Sequence, residues 1–390
     1  MQWHHITLDG TKENTRSSRP LRTPSIQALD QHASLIRSFT FKGSLPSEIL
    51  PFLVNSLQSN QVGSLVSLSF IKAAIPQGLL SYWDFVLQLV ALSSSTLQEF
   101  CIQEFVNESL LRELVNKSLL RELFVGRLRQ NDMNRRNQWG ALRHLALSLY
   151  CIADLETWIV MLEVFQQLES LELGFLRLDI TVSRQLEPIY NIDRKQPEAT
   201  TTLGQQHQHQ KLTQGQARFP HLKWLKLTQI DGISSKTCLN HLVAQSPSLR
   251  GLCWTISKGR GFSAREFYDF LKAGTWPRLE ALEIYGHPIQ IPDHILAAIL
   301  NVESTRAGKQ VSFRKLCVPR STFGSMAMAA LLSPTRGHTK TLQELDLSKC
   351  YQVSSKMAQD ILAACPRLEV FSANNIDPMD AARDQPLVCT

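Results

Sequence analysis

A short pattern of apolar positions recurs along the chain: two variable residues separate a first apolar residue from a second, and one separates the second from a third. Twelve copies have this pattern: Ile36-Phe39-Phe41, Leu65-Leu68-Phe70, Leu97-Phe100-Ile102, Leu120-Leu123-Val125, Leu142-Leu145-Leu147, Leu168-Leu171-Leu173, Leu222-Leu225-Leu227, Leu249-Leu252-Trp254, Leu279-Leu282-Ile284, Phe313-Leu316-Val318, Leu342-Leu345-Leu347 and Leu368-Phe371-Ala373. Successive copies begin 22 to 34 residues apart, apart from one interval of 54. Residues two positions apart share a face of an extended strand, so each triplet predicts a short strand.

Helical patterns lie between several of these predicted strands. The clearest runs from Ser354 to Cys365, where a serine can cap the start and Pro366 follows the end. Phe262–Leu271 is similar, and Ile291–Leu300 has Pro292 where a first helical turn tolerates proline. The chain therefore alternates strand and helix.

The spacing of the triplets is typical of leucine-rich repeats, whose period is about 20–29 residues. It predicts an α/β leucine-rich-repeat solenoid, a horseshoe with parallel strands on the concave face and helices on the convex face. A hydrophobic content of 43% supplies enough apolar mass for a long core. An ordinary α/β domain would instead need a glycine-rich phosphate turn or a defined site after a strand, and we find neither.

Composition divides the chain into five predicted segments. Residues 1–30 form an N-terminal segment, 31–183 and 217–377 the two halves of the solenoid, and 378–390 a tail. Residues 184–216 form a low-complexity insertion centred on Gln205–Gln210, which predicts disorder. His207, His209 and His221 are alternative metal ligands, but no cysteine or carboxylate cluster completes a ligand set.

Charge and hydropathy argue against nucleic-acid and membrane partners. The net charge is only +7, and its densest basic run, from Arg127 to Arg143, is interpreted as a solvated loop rather than a nucleic-acid patch. The longest apolar run, Leu79–Leu92, is too short to span a bilayer. The tandem duplication over Asn107–Val125 is interpreted as one helical turn and one strand, with a partner-binding amphipathic helix as the alternative.

The eight cysteines indicate a reducing compartment. None forms a C-x-x-C pair, and several lie within apolar runs, as Cys253 and Cys317 do. Cysteine in such runs behaves as a small buried hydrophobe, so we expect an intracellular protein, cytoplasmic or nuclear.

No arrangement of residues predicts catalysis. Acidic residues are scattered, the serines lack a nucleophile elbow, and Gly259-Arg260-Gly261 is interpreted as a turn because it lacks the strand–glycine–helix fingerprint of a phosphate loop. We interpret the pair His4-His5 as exposed rather than as a metal or catalytic site. The chain is therefore expected not to be an enzyme and to need no cofactor or metal, with an enzyme of unrecognised site kept as an alternative.

The copy from Leu342 to Val353, with Cys350 after its strand, resembles the cysteine-containing, ribonuclease-inhibitor-like repeat of F-box/LRR proteins. Ala364–Glu369 resembles the helix end and following strand of that class, and Trp3–Ile6 resembles the segment after the F-box in large fungal members. The resemblance implies a substrate receptor of a ubiquitin ligase, in which an F-box docks on the cullin adaptor and the repeats hold the substrate. No F-box is recognisable, so we expect a truncated relative, or adaptor binding only in a longer form.

Strand alternation predicts which residues face away from the apolar ladder. The third, fifth and seventh positions of the repeats do so, and they include His144, Trp224, Lys226, Thr228, Glu283, Tyr285, Lys315, Glu344, Asp346 and Asn374. Trp224, Lys226, Glu283 and Tyr285 form the candidate partner-binding site, because exposed aromatic rings are common anchors; the alternative is that both rings pack against neighbours. The predicted function is a protein-binding module of a ligase receptor, with a regulatory scaffold unconnected to ubiquitin ligases as the alternative.

Overall fold

The structure is a computed structural model that divides the chain into two compact units, Met1–Val182 and Ser183–Thr390. The residues it describes are 5–9, 32, 35–44, 51, 54–55, 59, 65–74, 80–103, 139–153, 161, 164–178, 219–228, 246–256, 268, 278–286, 291–301 and 312–373. Each unit contains six of the described strands.

The first unit is a run of parallel strands in sequence order. The strands are β1 (His5–Asp9), β2 (Ser38–Ser44), β3 (Ser67–Ala74), β4 (Glu99–Gln103), β5 (His144–Ala153) and β6 (Ser170–Leu178). Helix α1 (Leu80–Ser93) lies between β3 and β4 in the sequence. Each strand pairs in parallel with the next. This is the arrangement expected when every repeat contributes one strand and contacts its neighbours.

The second unit repeats the arrangement and also has more of its helices described. Its strands are β7 (Trp224–Thr228), β8 (Gly251–Ile256), β9 (Ala281–Gly286), β10 (Lys315–Cys317), β11 (Glu344–Asp346) and β12 (Val370–Ser372). Its helices are α2 (Asp293–Leu300), α3 (Ser325–Leu331), α4 (His338–Thr341) and α5 (Ser355–Ala364). The strands again pair in parallel and in sequence order.

Ten of the described apolar triplets form the core of the two units, and the last, Leu368-Phe371-Ala373, is only partly buried. Eleven of the twelve belong to strands β2 to β12, so the prediction of parallel strands at these triplets is confirmed. Leu225 and Leu345 are 1% and 0% exposed, as predicted for ladder leucines. The copy at Leu120-Leu123-Val125 lies outside the described residues, and β4 pairs directly with β5.

Strand β1 was not predicted. It pairs in parallel with β2, with Ile6 opposite Phe39 and Leu8 opposite Phe41. The sequence does contain the signal, because Trp3, Ile6 and Leu8 have the spacing of the other triplets. We had interpreted this segment only through its histidines and its position before the repeats.

The turns after β10 and β11 show that the repeat extends beyond the strands. Arg320 and Lys349 each stand three residues after their strand and have φ of 64° and 62°, a left-handed conformation that is uncommon for residues other than glycine. The next residue, Ser321 in one repeat and Cys350 in the other, is buried. The Cys350 thiol donates to the Val318 carbonyl of the preceding repeat at 3.4 Å. Cys350 thus lies where consecutive turns stack.

The helices agree with the sequence patterns where those patterns were clear. Helix α5 begins after Ser354, whose Oγ accepts the backbone N–H of Met357 at 3.2 Å, as the serine cap predicted. Helix α2 begins after Pro292 and buries Leu296 and Ile299. Helices α1, α3 and α4 were not predicted, and of Phe262–Leu271 only Tyr268, which is helical, is among the described residues.

Candidate functional site

The second unit presents a strand face opposite the buried apolar ladder, and we call it the open face. Strand register arranges its side chains in rows. The first row consists of Trp224, Gly251, Ala281, Lys315, Glu344 and Val370. The second consists of Lys226, Cys253, Glu283, Cys317, Asp346 and Ser372. The third contains Thr228, Thr255 and Tyr285.

Trp224 is the large exposed aromatic residue of this face. Its side chain is 49% exposed, although it stands on a strand whose ladder residues Leu225 and Leu227 are buried. The indole ring lies over Gly251, its direct partner on β8, and a Cβ at position 251 would overlap the ring. A glycine in a strand commonly marks such a close approach. Gly251 therefore provides the space that the ring occupies.

A chain of polar contacts links β9, β10 and β11 on the same face. The Lys315 ammonium lies 3.1 Å from Glu283 Oε1 and 3.2 Å from Glu344 Oε1, so it bridges two carboxylates. The Tyr285 hydroxyl donates to Glu283 Oε2 at 2.9 Å. The Cys317 thiol donates to Glu344 Oε1 at 3.7 Å, a long contact even for sulfur. We call Tyr285, Glu283, Lys315 and Glu344 the charge network.

The surroundings of Tyr285, Cys317 and Lys315 raise the pKa of each of these side chains. Burial raises the pKa of Tyr285 well above its usual range, and the nearby Cys317 and Glu283 add to the effect. Burial also raises the pKa of the Cys317 thiol to about 12. Burial alone would lower the pKa of Lys315, but its hydrogen bonds to Glu283 and Glu344 outweigh this and raise it. At neutral pH the phenol and the thiol stay neutral and the ammonium stays charged.

The four residues of the predicted site all lie on the open face, but in three different rows. Trp224 is in the first row, Lys226 and Glu283 share the second, and Tyr285 is in the third. Trp224 and Lys226 are exposed, whereas Glu283 and Tyr285 are partly buried in the charge network.

The sequence placed Lys315 and Glu344 on this face, but we did not include them in the candidate site. Gly251 was not considered at all. Its signal was available, because Gly251 follows Leu249 by the same two residues as Trp224 follows Leu222, and equivalent positions of adjacent parallel strands are neighbours.

The corresponding face of the first unit has smaller side chains. In the first two rows, strands β1 to β3 carry mostly hydroxyl residues: Thr7, Ser38, Thr40, Ser67 and Ser69. Glu172 accepts hydrogen bonds from Gln103 at 3.4 Å and from Ser148 at 3.3 Å, while His144 is exposed. This face is therefore a weaker candidate for a protein interface than the open face of the second unit, which bears Trp224.

Among the residues that the structure describes, no group of three or more histidine, cysteine or acidic side chains is arranged to hold a metal ion. Within the same part of the chain, every helix is too short or too polar to cross a membrane.

Comparison with known proteins finds similarity among solved structures. No protein-family model matches the chain, and no curated protein matches it. Among solved structures, the chain is similar to a chain of the crystal structure of the Rad7 and Elc1 complex in yeast. The two are 13% identical, the match covers 93% of this chain and 76% of the other, and the TM-score is 0.45. The function of this chain is therefore argued from the geometry of the open face.

Proposed function

We propose that this chain is a binding module that holds another protein on the open face of its second unit. The observation that carries the proposal is the exposed Trp224 ring, which lies over Gly251 on the face that also bears the charge network. A rigid exposed aromatic beside fixed polar groups has the character of an interface anchor with its polar surroundings. Because the ring already lies in a defined position, binding need not bear the full cost of ordering it.

The charges on this face favour a protein partner over nucleic acid. Lys226 and Lys315 are interspersed with Glu283, Glu344 and Asp346 in the first two rows. A surface for a phosphate backbone concentrates lysine and arginine, whereas a protein surface carries both signs. The mixed charges are therefore complementary to a protein.

We also propose that the open face recognises its partner without catalysing a reaction. A reactive cysteine needs a lowered pKa, but burial raises that of Cys317 to about 12. Lys315 is held between two carboxylates and keeps its charge, so it is a poor nucleophile. Groups with fixed protonation states suit recognition better than proton transfer.

The more specific proposal is that the module is the substrate-recognition part of an F-box-type ubiquitin ligase receptor, or a truncated relative of one. It is supported by the sequence resemblance centred on Cys350, together with the burial of that residue and its hydrogen bond to the preceding repeat. The competing proposal is a regulatory scaffold without a ligase link. Direct binding of the purified cullin adaptor to the full-length chain tests these alternatives: measurable affinity supports the ligase receptor and contradicts the scaffold, whereas its absence excludes a complete receptor and leaves the truncated relative and the scaffold.

Photo-crosslinking followed by affinity measurement tests the binding face. A photoreactive residue at position 224 of the full-length chain should capture the partner, and the same residue at exposed position 351, on the turn after β11, should not. Replacement of Trp224 and Tyr285 by alanine should then weaken binding of the purified partner by about tenfold or more, with the thermal midpoint nearly unchanged.

The matched control replaces Met326 and Tyr351, two exposed apolar residues of the second unit outside its strands. Their double replacement by alanine should leave binding unchanged. The proposal fails if both double variants bind equally well. It also fails if the Trp224 and Tyr285 variant unfolds, because the rings would then belong to the core.

A further inference from the structure

The two acidic side chains of β11, Glu344 and Asp346, each use only one of their two carboxylate oxygens for contacts within the described residues. Glu344 uses Oε1 for both Lys315 and Cys317, and Asp346 uses Oδ1 to accept the backbone N–H of Ser348 at 2.8 Å. Within the part of the chain that the structure describes, Glu344 Oε2 and Asp346 Oδ2 have no hydrogen bond or ion pair. By contrast, both oxygens of Glu283 are engaged, by Lys315 and by Tyr285. Two carboxylate oxygens therefore remain available on one strand.

The charge at this end of the face is negative. Lys315 offsets one of the three carboxylates of Glu283, Glu344 and Asp346, which leaves two negative charges. Glu344 and Asp346 alternate with the buried Leu345, so both side chains lie on the open face. A cationic group there would gain two charge-assisted hydrogen bonds.

An exposed apolar residue lies beside these carboxylates. Val370 on β12 is the direct register partner of Glu344 and is 51% exposed. The long side chains of lysine and arginine combine an apolar stem with a charged head. The apolar stem of such a side chain can pack against Val370 while its charged head binds to Glu344 and Asp346. Neither a metal ion nor a simple ammonium ion would use the apolar part of this arrangement.

Small side chains and part of the charge network lie between this end and Trp224. The intervening positions of the first two rows are Gly251, Ala281, Cys253 and Cys317, together with Glu283 and Lys315. Trp224 on β7 and Glu344 on β11 are four strand spacings apart, about 19 Å at about 4.8 Å per spacing. An extended segment covers that distance with about six residues.

We propose that the open face holds an extended segment of the partner protein, with an apolar side chain against Trp224 and an arginine or lysine against Glu344, Asp346 and Val370. The two anchor residues of the segment are about six positions apart. This inference rests on the proposed protein-binding function and specifies the chemistry of the partner. An acidic segment would meet like charge at β11, where the Lys315 ammonium already bridges Glu283 and Glu344.

Selection from a peptide library tests this chemistry. The probes are random phage-displayed peptides of about twelve residues, long enough to span the face when extended. They are selected on the immobilised full-length chain and then measured as synthetic peptides. We expect selected peptides to combine an aromatic or aliphatic residue with arginine or lysine about six positions away. Their affinity should fall as salt rises from about 0.05 M to about 0.5 M, because salt screens exposed charges.

Two double variants measure how much the charges of Glu344 and Asp346 contribute to peptide binding. Glu344→Gln with Asp346→Asn keeps the oxygen that each residue uses within the fold but removes both charges, and it should weaken binding by about tenfold or more. Asp360→Asn with Glu369→Gln makes the same change of net charge at exposed positions in and after α5, and it should leave binding unchanged.

The outcomes separate this inference from the proposed function. Peptides that depend on Trp224 but lack basic residues, or that bind the Glu344 and Asp346 variant equally well, overturn the inference and leave the binding function standing. Peptides that also bind the Trp224→Ala variant as tightly as the unchanged chain overturn both the inference and the proposed binding function. Selection of acidic peptides, or of none, also counts against the inference.

Discussion

At the scale of single residues, the apolar pattern determined which side of each strand is buried. Leu225 and Leu345 are buried while Trp224 and Lys226 are exposed, as alternation along a strand requires. Alternation does not give the rotamer of an exposed side chain, which depends on the neighbouring strand. The position of Trp224 over Gly251 therefore needed the structure, although the pairing of the two positions followed from the repeat.

The contact between Trp224 and Gly251 predicts a strong coupling between the two positions. Gly251→Ala should destabilise the chain by about 1–3 kcal/mol or displace the indole, because the new methyl group occupies the space of the ring. In a Trp224→Ala background the same change should be neutral or slightly stabilising, since alanine restricts the unfolded chain more than glycine does. Urea unfolding of the four chains measures the coupling free energy, and additive effects would show that the ring does not lie there.

The buried leucines of the apolar ladder allow a second prediction, the loss of folding free energy when a side chain is truncated and leaves a cavity. Leu225→Ala and Leu345→Ala should each lower the free energy of unfolding by about 2–5 kcal/mol, because each leaves a cavity in a fully buried row. Lys226→Ala, next to Leu225 but on the open face, should cost about 0.5 kcal/mol or less. Costs below about 1 kcal/mol at both leucines would contradict the core assignment.

At the scale of elements, helix starts were predictable only where the cap is local. Ser354 precedes α5 and caps it with its own side chain. Helix α3 instead begins after Gly324 and takes its cap from Asp293 on α2, more than thirty residues earlier. The Asp293 carboxylate accepts the backbone N–H groups of Gly324 at 2.8 Å, Met326 at 3.0 Å and Ala327 at 2.8 Å. No local pattern around Gly324 could have indicated this.

The cap between helices predicts that Asp293 contributes to stability from a distance in sequence. Asp293→Ala should lower the free energy of unfolding by about 1–3 kcal/mol, because three backbone donors lose their acceptor. Asp293→Asn keeps one acceptor oxygen and should cost less. Ser354→Ala removes a single cap bond and should cost about 1 kcal/mol. Equal stability of the wild type and Asp293→Ala in urea unfolding would exclude the proposed cap.

Helix α4 predicts a dependence of stability on pH. His338 is buried, its Nδ1 accepts the Phe313 backbone N–H at 3.1 Å, and its Nε2 lies 2.9 Å from the Leu300 carbonyl. Burial lowers the pKa of His338, with Arg336 adding to the effect and the Leu300 carbonyl opposing it. The unfolded chain therefore binds the proton more readily than the folded chain. Stability should be full above about pH 6.5, fall as pH drops below it, and level off under the folded-state pKa.

A variant with a residue at position 338 that does not titrate isolates the contribution of His338 to the pH dependence of stability. In His338→Asn an amide oxygen can replace the Nδ1 acceptor, and the remaining histidines are unchanged in both chains. Urea unfolding at about pH 7.5 and about pH 5.5 should show a larger loss of stability in the wild type than in the variant. If the two chains lose the same stability, His338 is not the group responsible.

At the scale of the whole molecule, the repeat was predictable because the same three apolar positions recur in every strand. Eleven triplets correspond to strands β2 to β12, in sequence order within each unit. The chemistry of the open face was less predictable, because it depends on register between strands. Lys315 meets Glu283 and Glu344 only because β10 lies between β9 and β11. A pattern within one repeat cannot show which charges from neighbouring repeats come together.

The segment 184–216 gives the last prediction, which concerns how much of the chain the function needs. These residues lie outside the described ranges, and every residue of the open face comes after them in the sequence. Their glutamine, threonine and histidine content cannot bury enough apolar surface to offset the entropy of ordering, so their amides should exchange rapidly with solvent. Replacement of 184–216 by a glycine-serine linker of equal length should leave the thermal midpoint and the affinity for selected peptides nearly unchanged. Slow exchange across the segment would show that it folds. A loss of peptide affinity in a linker variant that still folds would place part of the binding site in 184–216.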